Sequence, residues 1–361
     1  MKLFNLVEIH IEPREEVTLE LTVLITVVAI GFALAIAGVI FAAYKVNPLA
    51  AYWFLFWGSF GSAHNILETF TRMIPLLLCA VGLIIAYRAL IWNIGSEGQL
   101  LLGAIAAAGI ALFVPGIPPV LVLPTMIVAG FISGAAWAFI PGFLKAKYNV
   151  NEIITTLMMN YIAARLIMYL VYGPWKGQHV WGFPYTDIFP DYAWMPTIGT
   201  RLHYPDLILA ILIAIGSYYL LERTTLGYEI KVIGSNKEAG RYAGMSYFKV
   251  VLFVMIFSGG LAGIAGAAEV AGITHRLMRP EAISPGYGYT AIIVAWLSRL
   301  NPLIGIIAAL FMAIILVGGQ QIQISMGLPF GVVNMFNGIF LFSLIAFELF
   351  RKYHVKVRLV V

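Results

Sequence analysis

Residues 221–249, LERTTLGYEIKVIGSNKEAGRYAGMSYFK, form the only long charged segment between two strongly apolar runs. The basic side chains of this segment are Arg223, Lys231, Lys237, Arg241 and Lys249. Membrane proteins retain positive charge on the cytoplasmic side of the bilayer. We therefore predict that the segment is a cytoplasmic loop and that the apolar runs on both sides of it cross a membrane.

The residues around Lys237 have the pattern of a helix start. Ser235 and Asn236 are small polar residues that can cap backbone N–H groups, and Glu238 places an acid in the first turn, where the helix dipole favours it. Gly244 is a common helix stop. This pattern predicts a short helix at residues 237–243, outside the bilayer.

The composition of the whole chain supports a membrane protein. Hydrophobic residues make up 61% of the 361 residues and charged residues only 11%, which is half or less of the usual globular share. The single cysteine, Cys79, excludes an intramolecular disulfide framework and a cysteine-based metal site. The net charge of +5 is explained by inside loops, so we expect no nucleic-acid partner.

The apolar runs predict an all-α polytopic membrane protein with about ten transmembrane helices, one of them broken, in a single permease-type domain at 1–361. The predicted spans are 19–43, 73–89, 93–114, 120–140, 153–172, 207–221, 250–272, 286–297, 303–320 and 330–350. The segments 1–18, 221–249 and 351–361 are then cytoplasmic, and both termini lie inside. Fifteen of the 22 Lys and Arg residues fall on the cytoplasmic side, six fall outside, and Arg165 lies within the fifth span. In the seventh span, Gly259 and Gly263 form a GxxxG motif that favours close helix packing.

The third predicted span begins with WNIGSEGQ at 92–99. Four polar side chains, Asn93, Ser96, Glu97 and Gln99, would be costly if they faced lipid. Ser96 and Gln99 have the spacing of a capping box, which is a sufficient local explanation. Broken helices with polar ends also form the substrate sites of transporters, so the four residues are candidates for the substrate pathway.

A second polar group opens the fifth span. Asn151, Thr155 and Asn160 lie close to one helical face and are further pathway candidates. Hydrogen bonding between helices explains them equally well.

Four motifs occur in an order that resembles the permease family of nucleoside and simple-sugar ABC importers. They are WNIGSEGQLLLGA at 92–104, NEIITTLMMNYIA at 151–163, GSNKEAGRYAG at 234–244, and SPGYGYTAIIVAWLSRLNPLIG at 284–305. The resemblance covers nearly the whole chain, with ribose-type and branched-chain amino acid permeases as more distant relatives. In the third motif, Gly240 replaces the second alanine of an EAA-like pattern, which should weaken the helix.

The resemblance implies a cell-membrane permease subunit for a nucleoside or related sugar-containing molecule. It also implies a second permease subunit, a cytoplasmic ABC ATPase and an external substrate-binding protein. The residues expected to contact the ATPase are Asn236, Lys237, Glu238, Ala239, Arg241 and Gly244. No Gly-Lys dipeptide occurs, so the chain lacks a phosphate-binding Walker A motif, and neither a cofactor nor a catalytic residue is expected. The alternatives are an ion-coupled secondary transporter, or an ABC permease for a simple sugar or a branched-chain amino acid.

The predicted outer loops contain candidates for binding-protein docking. Arg276 and Arg279 are cations there, and the preceding outer loop at 173–204 is rich in tryptophan and tyrosine. Aromatic residues also settle at membrane interfaces, and exposed arginines are often simply solvated. The docking role of the two arginines is therefore a hypothesis.

Overall fold

The computed structural model describes residues 2–3, 7–14, 18–178, 182–199 and 201–359. Within these residues the chain forms fourteen α-helices and three short strands. The helices are α1 (Leu19–Ala43), α2 (Pro48–Phe60), α3 (Ala63–Arg88), α4 (Ser96–Phe113), α5 (Pro119–Tyr148), α6 (Glu152–Tyr172), α7 (Tyr204–Arg223), α8 (Thr225–Ser235), α9 (Lys237–Tyr242), α10 (Tyr247–Glu269), α11 (Pro280–Ile283), α12 (Tyr287–Leu297), α13 (Pro302–Met326) and α14 (Phe330–Lys352). The strands are β1 (Lys2–Leu3), β2 (Val7–Pro13) and β3 (Tyr353–Leu359).

The predicted helical, polytopic membrane fold is confirmed. Eight helices in the described part of the chain are long and apolar enough to cross a membrane, namely α1, α3, α4, α5, α6, α7, α13 and the continuous run Tyr247–Thr274. The two other predicted spans correspond to α12, which has only 11 residues, and to α14. Helix α3 begins ten residues before its predicted start at residue 73. The prediction placed the start at the first apolar residues, but the helix extends into a polar stretch whose side chains pair with each other, as Glu68 does with Arg72.

The strands were not predicted. β2 pairs antiparallel with β1 and with β3, in the register Val7↔Leu359 to Pro13↔Tyr353. The N-terminal and C-terminal segments, which sequence reasoning treated only as charged ends, therefore form one small sheet.

The chain forms two compact units. The smaller unit comprises Met1–Ser62 and Ile314–Val361, and the larger comprises Ala63–Ala313. In the smaller unit, the Ser59 hydroxyl donates to the carbonyl of Ile314 at 2.8 Å, and Gly318 packs against the backbone of Leu55. This contact joins α2 to the second part of α13.

Helix α10 is the centre of the larger unit and packs against α3, α4 and α5. The predicted GxxxG motif lies at these contacts. A Cβ at Gly263 would overlap the carbonyl oxygen of Gly130, and a Cβ at Gly103 of α4 would overlap the carbonyl oxygen of Gly263. Glycine is therefore needed at Gly263 because three backbones meet there.

The larger unit contains one irregular segment that places the polar residues of the third predicted span. Helix α3 ends at Arg88, and α4 begins at Ser96. Leu90 between them has a left-handed φ of 54°, which turns the chain out of the α3 direction. Leu90 and Trp92 are exposed, whereas Asn93 and the first turn of α4, which follow them, are buried in the protein.

Candidate functional site

The turn before α4 is closed by a pair of amide side chains. Asn93 donates to Gln99 at 2.9 Å, and Gln99 donates back to Asn93 at 3.0 Å. Asn93 also donates to the hydroxyl of Ser258 on α10 at 3.0 Å. Both amides are buried, so their hydrogen-bonding groups are satisfied within the protein and not by lipid.

The predicted capping box at Ser96 and Gln99 is wrong. The residue before the first helical turn is Gly95, and no side chain of the turn caps it. Gln99 is engaged with Asn93, and Ser96 is buried beside Cys79 of α3. A neighbouring helix takes over the cap instead, because Asn160 of α6 accepts from the N–H of Gly98 at 2.9 Å.

Glu97 joins the first turn of α4 to the first turn of α12. Its carboxylate accepts the N–H of Gly288 at 2.8 Å, while the hydroxyl of Ser284 accepts the N–H of Tyr287 at 3.0 Å. A Cβ at Gly288 would lie 2.6 Å from the Cα of Glu97, so the two helix starts are in backbone contact. One buried carboxylate thus complements the positive ends of two helix dipoles.

Helix α6 binds the same turn along one face, which is shifted by one residue from the predicted face. Thr156 accepts from the N–H of Ile94 at 3.2 Å, and Asn160 donates to the carbonyl of Ile94 at 2.9 Å. Glu152, four residues before Thr156, lies near the N–H of Trp92 and pairs with Lys145 at 2.9 Å. The spacing of residues 152, 156 and 160 by four could have indicated from the sequence that they share this helical face.

Two of the pathway candidates lie away from this network. Asn151 is exposed and caps α6, accepting from the N–H groups of Ile153 and Ile154 at 2.9 and 3.3 Å. Thr155 donates to the carbonyls of its own helix. Asn160 is the member of that group that reaches the turn, and it also donates to the hydroxyl of Tyr289 at 3.1 Å.

A charged cluster that sequence reasoning missed lies at the start of α3. Glu68 pairs with Arg72 at 2.9 Å and with Arg201 at 3.2 Å. Arg72 in turn donates to the hydroxyl of the buried Tyr287, at the start of α12. The spacing of Glu68 and Arg72 by four residues was a usable signal, whereas their contacts with residues 201 and 287 were not.

The same region holds buried polar groups on α7 and α10. His203 and Asp206 are both buried and lie 2.7 Å apart. Glu269, the last residue of α10, is buried with one carboxylate oxygen that has no hydrogen-bond partner in the described structure. Glu269 interacts electrostatically with Arg72, His203 and Tyr287, so this group links the ends of α3, α7, α10 and α12.

The predicted short helix is present as α9. Asn236 accepts from the N–H groups of Glu238 and Ala239 at 2.9 and 3.0 Å, as its cap pattern predicts. Gly244, with a φ of +80°, follows the helix. Gly240 is buried against Ile233 of α8, where a Cβ would lie only 3.0 Å from the neighbouring side chain. The glycine in the EAA-like pattern thus lies where α9 packs closely against α8.

The helix hairpin α8–α9 rests on the end of α3. Gly234 lies directly on the carbonyl of Arg88. The guanidinium of Arg88 pairs with Glu222 at 2.9 Å and donates to the carbonyl of Leu300 at 3.0 Å. The other residues of α9 expected to contact a partner are exposed, and Lys237 lies over the ring of Tyr247 at 4.0 Å.

The predicted docking arginines follow the π-helical turn Val270–Thr274. Arg279 is exposed, and Arg276 is half-buried with its guanidinium 5.0 Å from the ring centre of Tyr185. Beside them, His275 stacks on Trp194 at 4.1 Å, and burial lowers the pKa of His275 below its usual value. Of the aromatic residues in the loop at 173–204, Trp181 lies outside the described residues.

Apolar spans, a polar turn enclosed by helices and an exposed capped helix together define a multi-pass membrane transport protein. The chain belongs to the family described as branched-chain amino acid transport system / permease component, which matches residues 65–347. It is therefore the permease subunit of an ABC importer, as the sequence motifs imply.

Three relatives cover most of the chain. A glucose ABC transporter permease protein of Haloferax volcanii is 36% identical over 97% of this chain and 94% of its own length. A guanosine ABC transporter permease protein of Bacillus subtilis is 32% identical over 86% of this chain and 90% of its own length. A nucleoside ABC transporter permease protein of Lactococcus lactis subsp. cremoris is 31% identical, over 89% and 90%. The ion-coupled alternative is not favoured by these similarities.

Proposed function

We propose that this permease subunit forms the translocation pathway for a nucleoside or related sugar-containing small molecule. The observation that carries the substrate class is that the three relatives are named for glucose, guanosine and nucleosides. A second, related permease subunit completes the pathway, an external binding protein delivers the substrate, and a separate cytoplasmic ABC ATPase supplies the energy. Branched-chain amino acids remain the less favoured substrate, since the family description alone supports them.

The orientation follows from the distribution of charge. Both termini and the α8–α9 hairpin lie on the cytoplasmic side, because positive charge is retained there. The loop at 173–204 and residues 273–285 then lie outside. In this orientation α9 faces the ATPase, and Arg276 and Arg279 face the binding protein.

Helix α9 has the exposed surface of a helix that binds a partner protein, not that of a helix packed in a core. Gly240 is its only buried residue, whereas Asn236, Lys237, Glu238 and Arg241 are exposed. Tyr242 is 92% exposed, the highest value among the large apolar side chains that the structure describes. Exposed aromatic residues of this kind are frequent energetic centres of protein interfaces.

We expect Tyr242→Ala to uncouple the permease from its ATPase. Loss of a central interface tyrosine costs about 2 kcal/mol or more in binding, so ATPase affinity should fall by roughly thirtyfold and ATP-driven uptake should fall with it. Glu238→Lys should act in the same direction. Tyr219→Ala, at a tyrosine of α7 that is 63% exposed, is the matched control and should leave affinity unchanged. Unaltered ATPase affinity in Tyr242→Ala would contradict the assignment of α9.

We expect Arg279→Glu to slow capture of the loaded binding protein, with a smaller effect for Arg276→Glu. Arg279 is exposed, whereas the guanidinium of Arg276 is already held over Tyr185. Rim charges act mainly on association rate and its salt dependence. Association kinetics over a salt series should show a rate about tenfold lower at low salt. Lys249→Glu, on the opposite side of the membrane, is the control and should leave the association rate unchanged. If the double mutant Arg276→Glu, Arg279→Glu shows the wild-type dependence of association rate on salt, docking at these arginines is excluded.

The polar turn before α4 supports a structural role in the pathway. Asn93, Ser96, Glu97 and Gln99 are enclosed and mostly hydrogen-bonded within the protein. We propose that they hold the starts of α4 and α12 in place beside the pathway, with Asn160 linking them to α6. The exposed Asn151 and the half-buried Thr155 lie nearer the cytoplasmic end of α6.

Reconstitution tests the proposed function directly. Proteoliposomes that contain the permease pair, the ATPase and the binding protein should take up substrate when ATP is supplied. Omission of the ATPase should abolish uptake. Uptake that follows an imposed ion gradient without ATP would favour a secondary transporter instead.

A further inference from the structure

Helix α6 exposes a row of polar and aromatic side chains that the network described above does not use. Tyr161 is 61% exposed, Tyr169 is 65% exposed, and Arg165 between them is exposed as well. Residues four apart lie on one side of a helix. The row therefore forms a continuous strip along the α6 surface that faces away from α4.

Arg165 lies deep within its span. It follows Glu152, the first residue of α6, by 13 residues and precedes the last residue, Tyr172, by seven. At about 1.5 Å per residue these separations are about 20 and 10 Å. No hydrogen bond or ion pair joins Arg165 to the residues that the structure describes. An unpaired arginine at this depth is costly in lipid and ordinarily faces water or protein.

The exposed face of α7 shows what a lipid-facing surface of this protein looks like. Its middle is aliphatic, with Ile208, Leu212 and Ile215 each about half exposed at 53%, 59% and 48%. Exposed tyrosines occur only toward its two ends, at Tyr204 and Tyr219. This arrangement is typical of a lipid-facing helix with interfacial aromatic residues. The exposed surface of α6 also has aliphatic side chains, at Ile154, Met158 and Ile162, but it differs from that of α7 because Arg165 places a charge in the middle of the span.

A tyrosine from a second helix lies beside the start of the row. Asn160, the residue before Tyr161, donates to the hydroxyl of Tyr289 at 3.1 Å. Tyr289 is 40% exposed, so its hydroxyl is held while part of its ring remains open. Asn160 is buried and fixed by Ile94 and Gly98, which gives the tyrosine a rigid support.

We propose that Tyr161, Arg165, Tyr169 and Tyr289 line the aqueous translocation pathway and contact the substrate during passage. The ligand chemistry that fits them is a neutral ring with an apolar face and several hydroxyl or carbonyl oxygens. The tyrosine rings pack against the apolar face of the sugar or base, and the guanidinium of Arg165 donates hydrogen bonds to the oxygens. A few polar groups among aromatic side chains are the usual composition of such a site. The assignment to a sugar-containing substrate rests on the proposed function.

Cysteine accessibility in the complete reconstituted complex tests the location. The native Cys79 is fully buried, so an introduced cysteine is the one readily accessible thiol of this chain. Tyr161→Cys and Tyr169→Cys should react with a charged, membrane-impermeant methanethiosulfonate reagent. Leu212→Cys, on the lipid-facing side of α7, is the matched control and should react at least about a hundredfold more slowly, because a thiol in lipid does not ionise.

Protection of the introduced cysteine from modification distinguishes the two possible substrates, glucose and guanosine. Saturating glucose or guanosine, each added with the binding protein, should slow modification of Tyr161→Cys several-fold if that compound passes the row. Reaction rates equal to that of Leu212→Cys would overturn the proposal, whether the row faces lipid or is sealed against another subunit. That result would leave ATP-driven uptake by the unmodified complex intact, so it would not count against the proposed function. Conversely, fast modification that neither compound slows would overturn substrate contact by the row.

Arg165 provides a second, independent readout. We expect Arg165→Gln to raise the KM of uptake by about tenfold, because one charge-assisted hydrogen bond is lost. Arg165→Lys keeps the charge and should recover part of this loss. Binding-protein association and ATPase affinity should be unchanged in both variants. An unaltered KM in Arg165→Gln would exclude substrate contact by this side chain.

Discussion

Gly263→Val is expected to prevent the larger unit from folding. A Cβ at this position would overlap the carbonyl oxygen of Gly130 and lie 3.1 Å from the Cα of Gly134. The obstructing atoms belong to the backbone, so they cannot turn aside as a side chain can. Overpacking costs about 1–3 kcal/mol when neighbours can adjust, and here the cost should be at or above the upper end. Thermal unfolding in detergent and the yield of membrane-inserted protein measure the effect.

The control for this prediction is another helical glycine. A Cβ at Gly216 of α7 would meet nothing within 4 Å. Gly216→Val introduces the same side chain into a helix, so the change in intrinsic helix propensity is matched. We expect it to unfold at nearly the wild-type temperature. Equal losses in the two variants would show that helix propensity, and not the close approach of α5 and α10, accounts for the effect.

Glu97→Leu is expected to abolish uptake. The substitution removes the acceptor for the N–H of Gly288, at the point where α4 and α12 are in backbone contact. A buried donor left without a partner costs about 1–3 kcal/mol, and the favourable charge at both helix starts is lost as well. Helix α12 should then lose its fixed position. ATP-driven uptake and thermal unfolding of the same preparation report the two consequences.

Glu97→Gln separates hydrogen bonding from charge. Glutamine retains an oxygen that can accept from Gly288 but removes the negative charge at the two dipoles. We expect it to fold and to transport at a reduced rate, between wild type and Glu97→Leu. Wild-type uptake by Glu97→Leu would show that the contact between α4 and α12 has no role in transport.

The sequence alone determined the membrane class, most span positions and the short helix after Asn236. These features depend on local properties, namely the length of an apolar run, the cost of charge in lipid and the chemistry of a helix cap. The spans at 19–43, 153–172 and 330–350 agree with α1, α6 and α14 to within two residues. The Gly259 and Gly263 motif likewise predicted close packing, although its partners on α4 and α5 were unknown.

Only the tertiary structure decided which polar groups meet. Ser96 and Gln99 have capping-box spacing, yet Asn160, 62 residues from Gly98, provides the cap. The contact of Glu97 with Gly288 spans 191 residues and leaves no periodic signal in either segment. The same limit concealed the link from Arg72 to Tyr287. A buried polar group must find a partner, but its own sequence neighbourhood does not specify which helix supplies it, because that choice is set by the packing of the whole unit.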